Sequence, residues 1–447
     1  MGPGHDPKSP ADFGHVPRPV VTVVGAGLAG CEAALQLARR GVPVRLVEMR
    51  PQQMTPAHRT GDVAELVCSN SLKSEEPRNA HGLLKAELHE FGSALLPCAE
   101  ASRIPGGKAL VVDRQRFSVA VQAALDAAGV AVERREATEL DGLTIVATGP
   151  LTSAAMATAL EQRLGAGRLF FFDAIAPVLD AESLDRSRVF AASRYGAGDD
   201  YLNSAMSEPE YDAFIDALLS AELHPMHDFE SGRFFEGCLP IEEMARRGRL
   251  VPAFGPMKPV GIADPATGRR PFAVVQLRRE NAEGTMYNLV GFQTRLAHGE
   301  QERVFRMIPG LERARFLRFG SMHRNTFLDA PRVLGPTLAT LADPALFIAG
   351  QLTGVEGYVE SIAAGLVAGV NAARLATGQE PLCWPVETMT GALLRYVTMP
   401  NPAFQPMNAN FGLLPAIEGR LRGRDKRQVL AERALAAAVA FAAALRG

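Results

Sequence analysis

The sequence predicts an α/β fold in which a discontinuous nucleotide-binding domain of the Rossmann type is interrupted by a smaller α+β domain. Three observations support this prediction: a glycine-rich turn between a strand and a helix near the N-terminus, a second strand–turn–helix pattern far along the chain, and a middle region with a different pattern. The predicted bounds are 18–198 plus 331–447 for the nucleotide-binding domain, 199–330 for the inserted domain and 1–17 for a flexible tail.

The composition fits such a protein. With 447 residues and 47% hydrophobic side chains, the chain is long enough for two or three domains with a sizeable core. The formal net charge of −2 provides no global field that would select nucleic acid or an acidic membrane. A charged partner must therefore bind to a local patch of opposite charge.

Cysteine usage and the chain ends predict a cytoplasmic location. Five cysteines is an odd number, and the absence of a CxxC pair favours reduced thiols. The first 17 residues lack the apolar segment of a signal peptide, and the apolar run from Ala434 to Leu445 is too short to span a bilayer. We therefore expect a soluble protein with no membrane partner.

The N-terminal motif predicts a dinucleotide site. A β-branched strand runs into a glycine-rich turn, and a helix and a second strand follow before Glu48. Gly25 permits the tight turn, Gly27 lets the backbone approach a pyrophosphate, and Gly30 allows the helix to pack closely on the strand. Glu48 lies where a carboxylate binds the ribose hydroxyls of an adenosine. The predicted nucleotide-binding residues are Gly25, Ala26, Gly27, Leu28, Ala29, Gly30 and Glu48.

A second pattern of the same kind predicts a return to this domain. Strands are predicted at Leu143–Thr148 and Leu346–Ala349, and the second runs through Gly350 and Gln351 towards a helix that begins near Tyr358. In large FAD-dependent folds the chain leaves the nucleotide domain and returns in this way, which favours a flavin contact at this turn. An ordinary βα unit of the same sheet is the alternative.

The middle region has the pattern of an α+β module. Ser207 and Glu210 form a capping box that opens an amphipathic helix. The β-rich runs Pro271–Leu277 and Met286–Phe292 are separated by a polar loop, which predicts an antiparallel pair.

Two cysteines have surroundings that suit a nucleophile. Cys68 is followed by Ser-Asn-Ser and a lysine, and Cys238 lies between a glycine and a Leu-Pro turn. Nucleophilic thiols need polar, partly exposed positions of this kind. For Cys31, Cys98 and Cys383 we expect the commoner role of a small buried apolar residue. A redox disulfide between Cys68 and Cys238 is a competing interpretation.

Basic side chains cluster in the middle and near the C-terminus. If they lie on one face they could follow a phosphate backbone, whereas interleaved glutamates favour an ordinary solvated surface. The clusters include Arg246, Arg247, Arg249, Lys258, Arg269, Arg270, Arg278, Arg279, Arg303, Arg306, Arg313, Arg315, Arg318, Arg324, Arg420, Arg422, Arg424, Lys426 and Arg427. No histidine spacing suggests a metal site.

Longer motifs resemble one family. From Val20 to the C-terminal helix the chain is similar to the folate- and FAD-dependent tRNA (uracil-5-)-methyltransferases, the TrmFO family, which is related to the MnmG/GidA family of wobble-uridine modification. The motifs that carry the resemblance are VGAGLAGCE from residue 24, CSNSLK from 68, FEGCLPIE from 235, FGPMKPVG from 254, VGFQT from 290, MHRNT from 322 and GQLTGVEGY from 350.

The resemblance implies an activity and its cofactors. A protein of this family forms 5-methyluridine in the T-loop of tRNA, takes its one-carbon unit from 5,10-methylenetetrahydrofolate, and uses FAD as methylene carrier and reductant. NADH or NADPH reduces the flavin. The expected partners are thus tRNA and small molecules, with no obligate protein partner, no membrane and no metal.

The resemblance also implies residue roles. Cys238 is expected to attack uracil C6, and Cys68 to assist at the flavin, for example in proton removal. Tyr358 is the expected stacking residue for the isoalloxazine ring. The remaining polar residues of the substrate pocket are expected to be Lys258, His323, Arg324 and Asn325.

Two other classes of protein remain open from the residues. A flavin-dependent thiol/disulfide oxidoreductase would use Cys68 and Cys238 as a redox pair. A flavin-bound RNA-binding protein without catalysis would need neither thiol.

Overall fold

The structure is a computed structural model that describes residues 19–165, 168–196, 198–224, 239–280, 284–401, 404, 406–417 and 423–446. For residues 168–175, 321–325, 423–424 and 446 it describes the backbone alone. Strands and helices alternate over the first part of the chain, strands dominate the middle, and helices dominate the end.

The strands are β1 (Val21–Val24), β2 (Val44–Glu48), β3 (Ser71–Ser74), β4 (Arg103–Ile104), β5 (Ala109–Val112), β6 (Val132–Arg134), β7 (Thr144–Val146), β8 (Arg168–Ile175), β9 (Val178–Asp180), β10 (Val189–Ala191), β11 (Tyr201–Met206), β12 (Ala273–Arg279), β13 (Met286–Leu289), β14 (Phe316–Arg318), β15 (Ser321–Leu328) and β16 (Leu346–Ile348). The helices are α1 (Leu28–Arg39), α2 (Ala80–Glu90), α3 (Leu95–Ala101), α4 (Arg114–Ala127), α5 (Ala154–Leu164), α6 (Glu208–Ser220), α7 (Ile241–Arg247), α8 (Val251–Phe254), α9 (His298–Phe305), α10 (Ala330–Val333), α11 (Tyr358–Ala376), α12 (Met389–Thr398) and α13 (Gly423–Arg446).

A parallel sheet of order β16-β7-β1-β2-β6 forms the centre of the nucleotide-binding domain. Because β16 joins a sheet made by the first part of the chain, the domain is discontinuous, as the sequence predicts. The carboxyl ends of β1, β7 and β16 lie side by side at one edge. Ligands of open α/β sheets bind at such an edge.

Helices α1 and α11 pack unusually closely beneath this edge. A Cβ at Gly365 would lie 2.3 Å from the carbonyl oxygen of Ala29, and a Cβ at Gly369 would lie 2.8 Å from the Cα of Ala33. Glycine is therefore required at both positions of α11. This contact brings the two helix N-termini, which follow the glycine-rich turn and the return turn, to the same place.

The second domain has its own sheet and its own core. Its antiparallel sheet has the order β10-β11-β12-β13-β9-β14, in which β12 pairs with β13 as the sequence predicts. The capping box at Ser207 and Glu210 is present at the start of α6. A two-stranded ribbon of β8 and β15 carries the chain into and out of this domain.

The buried apolar residues form two clusters. One joins the N-terminal and C-terminal parts of the chain, and the other runs from Leu179 to Ala314. The sequence places the inserted domain at 199–330. From the extent of the second cluster we propose earlier bounds, near 176 and 320, because β9 and β10 already belong to the second sheet.

Within the described residues, two helical segments are long and apolar enough to cross a membrane by length and composition: α11 and Asp425–Leu445 within α13. Most of α11 is buried in the first core, and core helices pass the same test, so the finding is weak evidence for a membrane span. The C-terminal segment exceeds the run considered in the sequence because the helix begins well before Ala434.

Candidate active site

The glycine-rich turn forms a cradle at the end of β1. Gly25 has a left-handed φ of 102°, and a Cβ there would lie 2.6 Å from the carbonyl oxygen of Ala147. A Cβ at Gly30 would lie 1.7 Å from the carbonyl oxygen of Gly25, whereas a Cβ at Gly27 would meet no atom within 4 Å. The backbone is thus tightly packed at Gly25 and Gly30, whereas the space beside Gly27 is open. A phosphate can approach the N-terminus of α1 from that open side.

Glu48 at the end of β2 is bonded to this turn. Its carboxylate accepts a hydrogen bond from the Ala26 N–H at 2.8 Å and pairs with Nε of Arg50 at 2.9 Å. Burial raises the pKa of the Glu48 carboxyl, but the charge of Arg50 and the hydrogen bonds from Arg50 and Ala26 together outweigh this effect and leave the pKa below its ordinary value. The carboxylate is therefore ionised. Its contact with a ribose stays a prediction, and its bond to the turn is a role that the sequence did not reveal.

Two neighbouring cavities share part of their walls. The first, the nucleotide cavity, is lined by residues from the strand ends and the return turn, including Gly25, Gly27, Leu28, Ala29, Glu48, Gly350, Gln351 and Tyr358. The second, the thiol cavity, has a volume of about 290 Å³ and is lined by residues of both domains, including Cys68, Ser69, Lys73, Arg278, Gln351 and Tyr358. Gln351 and Tyr358 line both. An extended ligand that begins at Gly27 and passes these two residues therefore reaches Cys68.

The residues present fit an FAD molecule in this position. The open space at Gly27 admits a pyrophosphate, and the shared wall leads from the nucleotide end to a second, wider space. Ala26, by contrast, is fully buried and contributes its backbone N–H to Glu48. It supports the cradle through this bond, and its contact with a nucleotide stays a prediction.

Tyr358 holds the loop that carries Cys68. This loop, residues 66–70, is called the Cys68 loop below. The Tyr358 hydroxyl oxygen accepts hydrogen bonds from the N–H groups of Cys68 and Ser69, at 2.9 and 3.0 Å. Burial raises the pKa of the Tyr358 phenol above its ordinary value, so the hydroxyl stays protonated. The predicted stacking role of its ring stays a prediction.

The inserted domain holds the same loop from the other side. Arg278 on β12 donates from Nε to Oδ1 of Asn70 at 3.0 Å and from Nη2 to Oγ of Ser69 at 2.9 Å. The Asn70 side chain in turn donates to the carbonyl of Arg279 at 2.8 Å. Arg318 on β14 donates to the carbonyl of Val67 at 3.3 Å. The position of Cys68 is therefore fixed by both domains.

A buried ion pair closes this contact. Arg114, the first residue of α4, donates to the Leu66 carbonyl and pairs with Glu280 at 2.7 Å. Burial lowers the pKa of Arg114, yet the nearby carboxylate of Glu280 leaves it above the ordinary value. Glu280 also accepts a hydrogen bond from the Asn288 side chain. The pair joins the first domain to the end of β12.

Two charged side chains, Glu360 and Lys73, also line the thiol cavity. Glu360 in the first turn of α11 pairs with Nδ1 of His81 at 3.1 Å and accepts the Ala409 N–H at 3.0 Å. Burial raises the pKa of Glu360, but the His81 bond and the charge of Lys73 lower it to about 2. Lys73 adopts a left-handed φ of 63°, which is unusual for a lysine. The cavity thus offers an ionised carboxylate and an ammonium group to a polar ligand.

Removing the Tyr358 hydroxyl should loosen the Cys68 loop. Tyr358→Phe keeps the ring but leaves the Cys68 and Ser69 N–H groups without an acceptor, which costs about 1–3 kcal/mol per buried group. We expect a lower free energy of unfolding, unchanged flavin content and faster alkylation of Cys68 by iodoacetamide, measured by peptide mass spectrometry. Tyr211→Phe is the control, because its hydroxyl bonds the Arg249 carbonyl in the second domain. Equal alkylation rates in wild type and Tyr358→Phe would contradict the assignment.

The remaining predicted site residues are only partly described. Cys238 lies outside the described residues, and so do the side chains of His323, Arg324 and Asn325 on β15. Three residues after Cys238 the Ile241 N–H donates to the carbonyl of Gln293, which lines the thiol cavity, at 2.8 Å. Lys258 is exposed on the surface of the second domain.

The other cysteines only partly match the prediction that they are buried apolar residues. Cys31 is buried, as predicted, and Cys98 is partly buried, whereas Cys383 is exposed, so its prediction as a core residue is wrong.

Many of the clustered arginines form ion pairs with nearby carboxylates or point into the contact between the two domains. Surface pairs include Arg246–Glu243, Arg249–Asp216, Arg303–Glu300, Arg306–Glu302 and Arg315–Asp180.

No group of three metal-ligating side chains occurs among the residues that the structure describes.

Sequence reasoning missed Arg50, Arg114 and Glu280 as parts of the site. Arg114 and Glu280 are partners that lie far apart in the chain, and Arg50 pairs with the nearby Glu48 without forming a recognisable motif. The sequence therefore contains no local pattern that identifies these three residues.

The parallel sheet, the glycine cradle and the return turn define an FAD-binding protein of the Rossmann type. Residues 20–380 match the family described as glucose inhibited division protein A. The chain is 58% identical over 421 residues to the methylenetetrahydrofolate–tRNA-(uracil-5-)-methyltransferase TrmFO of Moorella thermoacetica, covering 93% of this chain and 96% of the relative. The TrmFO of Lactiplantibacillus plantarum is 53% identical over 428 residues, covering 95% and 97%.

The chain belongs to the glucose inhibited division protein A family and, within it, to the TrmFO group. Among solved structures, GidA of Aquifex aeolicus has a TM-score of 0.71 at 17% identity, covering 95% of this chain and 73% of that chain. This likeness confirms the predicted fold class. The resemblance inferred from the motifs is confirmed as well.

Proposed function

We propose that the protein is a methylenetetrahydrofolate–tRNA-(uracil-5-)-methyltransferase that forms 5-methyluridine in the T-loop of tRNA. One observation carries the site assignment: the cavity that contains Cys68 shares Gln351 and Tyr358 with the cavity at the glycine cradle. A thiol and a bound isoalloxazine ring would therefore meet at one place. The activity is that of relatives at 53–58% identity over most of the chain.

Residues of this chain would hold FAD along a defined path. Gly27 leaves room for a pyrophosphate at the N-terminus of α1, Glu48 would bind the ribose, and Gly350 and Gln351 line the passage to Tyr358. Bound FAD, reduced by NADH or NADPH, supplies the hydride that converts a methylene group into a methyl group.

The uracil needs a nucleophile at C6, for which we propose Cys238. Addition of its thiolate to C6 pushes an electron pair onto C5, and C5 then forms a bond to the methylene carbon that methylenetetrahydrofolate supplies. Removal of the C5 proton then breaks the bond between the methylene carbon and the nitrogen of its carrier, which leaves an exocyclic methylene on C5 with the Cys238 sulfur still on C6. Addition of the hydride to this methylene gives the methyl group and expels the Cys238 thiolate, which restores the C5–C6 double bond. Cys68 is the proposed residue for assisting the removal of the C5 proton.

The T-loop uridine must leave its stack to reach these groups. We propose that Lys258, His323, Arg324 and Asn325 contact the RNA, and that the enzyme acts in the cytoplasm without a membrane or an obligate protein partner. The relatives do not support a thiol/disulfide oxidoreductase, the alternative left open by the cysteines.

The test follows a labelled carbon. Purified protein with FAD is incubated with NADPH, a tRNA transcript and methylenetetrahydrofolate labelled in its methylene carbon, and the digested RNA is analysed by mass spectrometry. The proposal expects label in 5-methyluridine at one T-loop position and none with Cys238→Ser. Thiol-dependent oxidation of NADPH without RNA labelling would overturn it, and label in a wobble uridine would assign the related family's reaction instead.

A further inference from the structure

An exposed apolar ridge stands out on the second domain. It consists of Leu250, Val251, Phe254 and Val260 on and beside α8, together with Tyr195, whose N–H donates to the carbonyl of Gly261 next to Val260 at 2.9 Å. It is called the Phe254 ridge below. Phe254 is 80% exposed, Tyr195 69% and Leu250 50%, with Val251 and Val260 at 39% each. Single exposed apolar residues are common, but a cluster of this kind marks an interaction surface.

The backbone beneath the ridge is well anchored. The fully buried Met257 donates its N–H to the Pro252 carbonyl at 2.9 Å. Arg194 donates to the carbonyls of Lys258 and Val260, both at 2.7 Å. These hydrogen bonds fix the backbone that carries the exposed aromatic side chains.

The ridge adjoins the thiol cavity. A Cβ at Gly291, which lines that cavity, would lie 2.4 Å from Cβ of Pro256, so Pro256 packs directly behind the cavity wall. Phe254 is two residues from Pro256, which limits the separation of their Cα atoms to about 7 Å. The most exposed aromatic ring of the ridge thus belongs to a residue close to the cavity wall at Gly291.

Exposed cations flank the ridge. Lys258, Arg269 and Arg270 are exposed and form no ion pair within the described residues, unlike Arg246 and Arg249 nearby. The Val274 N–H donates to the Met257 carbonyl at 2.9 Å, which brings the two ends of the loop 258–272 together. Aromatic rings interleaved with unpaired cations are the combination that binds single-stranded RNA.

We propose that Phe254 stacks on a base of the tRNA beside the extruded uridine, while Lys258 and Arg270 contact the flanking phosphates. This inference rests on the proposed function and adds to it a residue that keeps the RNA open. Extruding a base leaves an unstacked gap, and an apolar side chain at the gap compensates for the lost stacking.

The test compares Phe254→Ala with Phe254→Trp and with Leu341→Ala, which removes a 66% exposed side chain of the first domain. The RNA is a tRNA transcript with 2-aminopurine next to the target uridine. We expect Phe254→Ala to raise the Kd about 10-fold and to lose the fluorescence increase on binding, while Phe254→Trp restores both and Leu341→Ala changes neither. Lys258→Met should instead lower the salt dependence of log Kd by about one unit of slope.

Flavin reduction by NADPH without RNA should be unchanged in the Phe254 and Leu341 variants, which shows that each is folded and loaded. Wild-type Kd and fluorescence in Phe254→Ala would overturn the inference while leaving the proposed function intact. A wild-type protein that neither binds nor methylates the RNA would overturn the proposed function itself.

Discussion

Replacing Gly27 by alanine should give a folded apo-protein that has lost most of its affinity for FAD. A Cβ at this position meets no atom of the protein within 4 Å, and the residue has an ordinary φ of −76°. The added methyl group therefore costs the fold little. It occupies the space through which a pyrophosphate reaches the N-terminus of α1, and crowding of this size costs about 1–3 kcal/mol, or about 5- to 150-fold in Kd.

Calorimetric titration of the apo-protein with FAD measures the effect, and circular dichroism measures the thermal midpoint. Two glycines serve as controls. Gly299→Ala also adds a methyl group to open space, but in α9 of the second domain, so both quantities should stay near wild type. Gly30→Ala forces a Cβ to within 1.7 Å of a carbonyl oxygen and should prevent folding. Full FAD binding by Gly27→Ala would show that the nucleotide does not lie at this turn.

Glu280→Gln should lower the free energy of unfolding by about 3 kcal/mol at pH 7, because it leaves the buried Arg114 guanidinium without its counter-charge. The side chains of the pair are 21% and 4% exposed, so water replaces little of the lost interaction. Arg318 lies close enough to repel Arg114, and this repulsion is no longer offset once the carboxylate is removed. Urea unfolding at pH 7 measures the loss.

The loss should also depend on pH. Burial raises the pKa of Glu280, but the charge and hydrogen bond of Arg114, with the charges of Arg318 and Arg278, together outweigh it, so the folded-state pKa lies below the unfolded value near 4.5. A depressed carboxyl pKa stabilises the protein above the unfolded pKa, and this stabilisation disappears as the pH falls through the folded pKa. The difference between wild type and Glu280→Gln should therefore shrink on acidification below about pH 4.5.

Glu302→Gln provides the comparison for this ion pair. Its partner Arg306 lies at 2.9 Å, but both side chains are more than one-third exposed, so the change should cost less than about 1 kcal/mol. An equal effect of the two substitutions would contradict the structural role assigned to Glu280.

The parts of the fold that depend on neighbouring residues were predictable from the sequence. The strand, glycine turn, helix and acid around Gly25–Glu48 specify their own geometry, because each glycine meets a local steric demand. The capping box at Ser207 and the antiparallel pair of β12 and β13 are local in the same sense. The return of the chain to the first sheet at β16 was predictable because the same pattern occurs twice.

The contacts around Cys68 were not predictable, since they join residues that are far apart in the chain. Tyr358 follows Cys68 by 290 positions and Arg278 follows Asn70 by 208. No periodicity or spacing marks such partners, and an arginine in a basic cluster gives no sign that it points inward. Glu48 was predicted as a ligand contact, whereas its bonds to Ala26 and Arg50 depend on how the turn folds back over the strand end.

The double attachment of the Cys68 loop has a further consequence. One side of the loop is bonded to the helix that begins at Tyr358 and the other to the strand that carries Arg278, so the sulfur cannot keep its position if the two domains change their relative angle. A tilt of the inserted domain under a docked RNA would shift the thiol against the nucleotide. Binding of RNA to the surface of the inserted domain would then alter the reactivity of the Cys68 thiol through these hydrogen bonds.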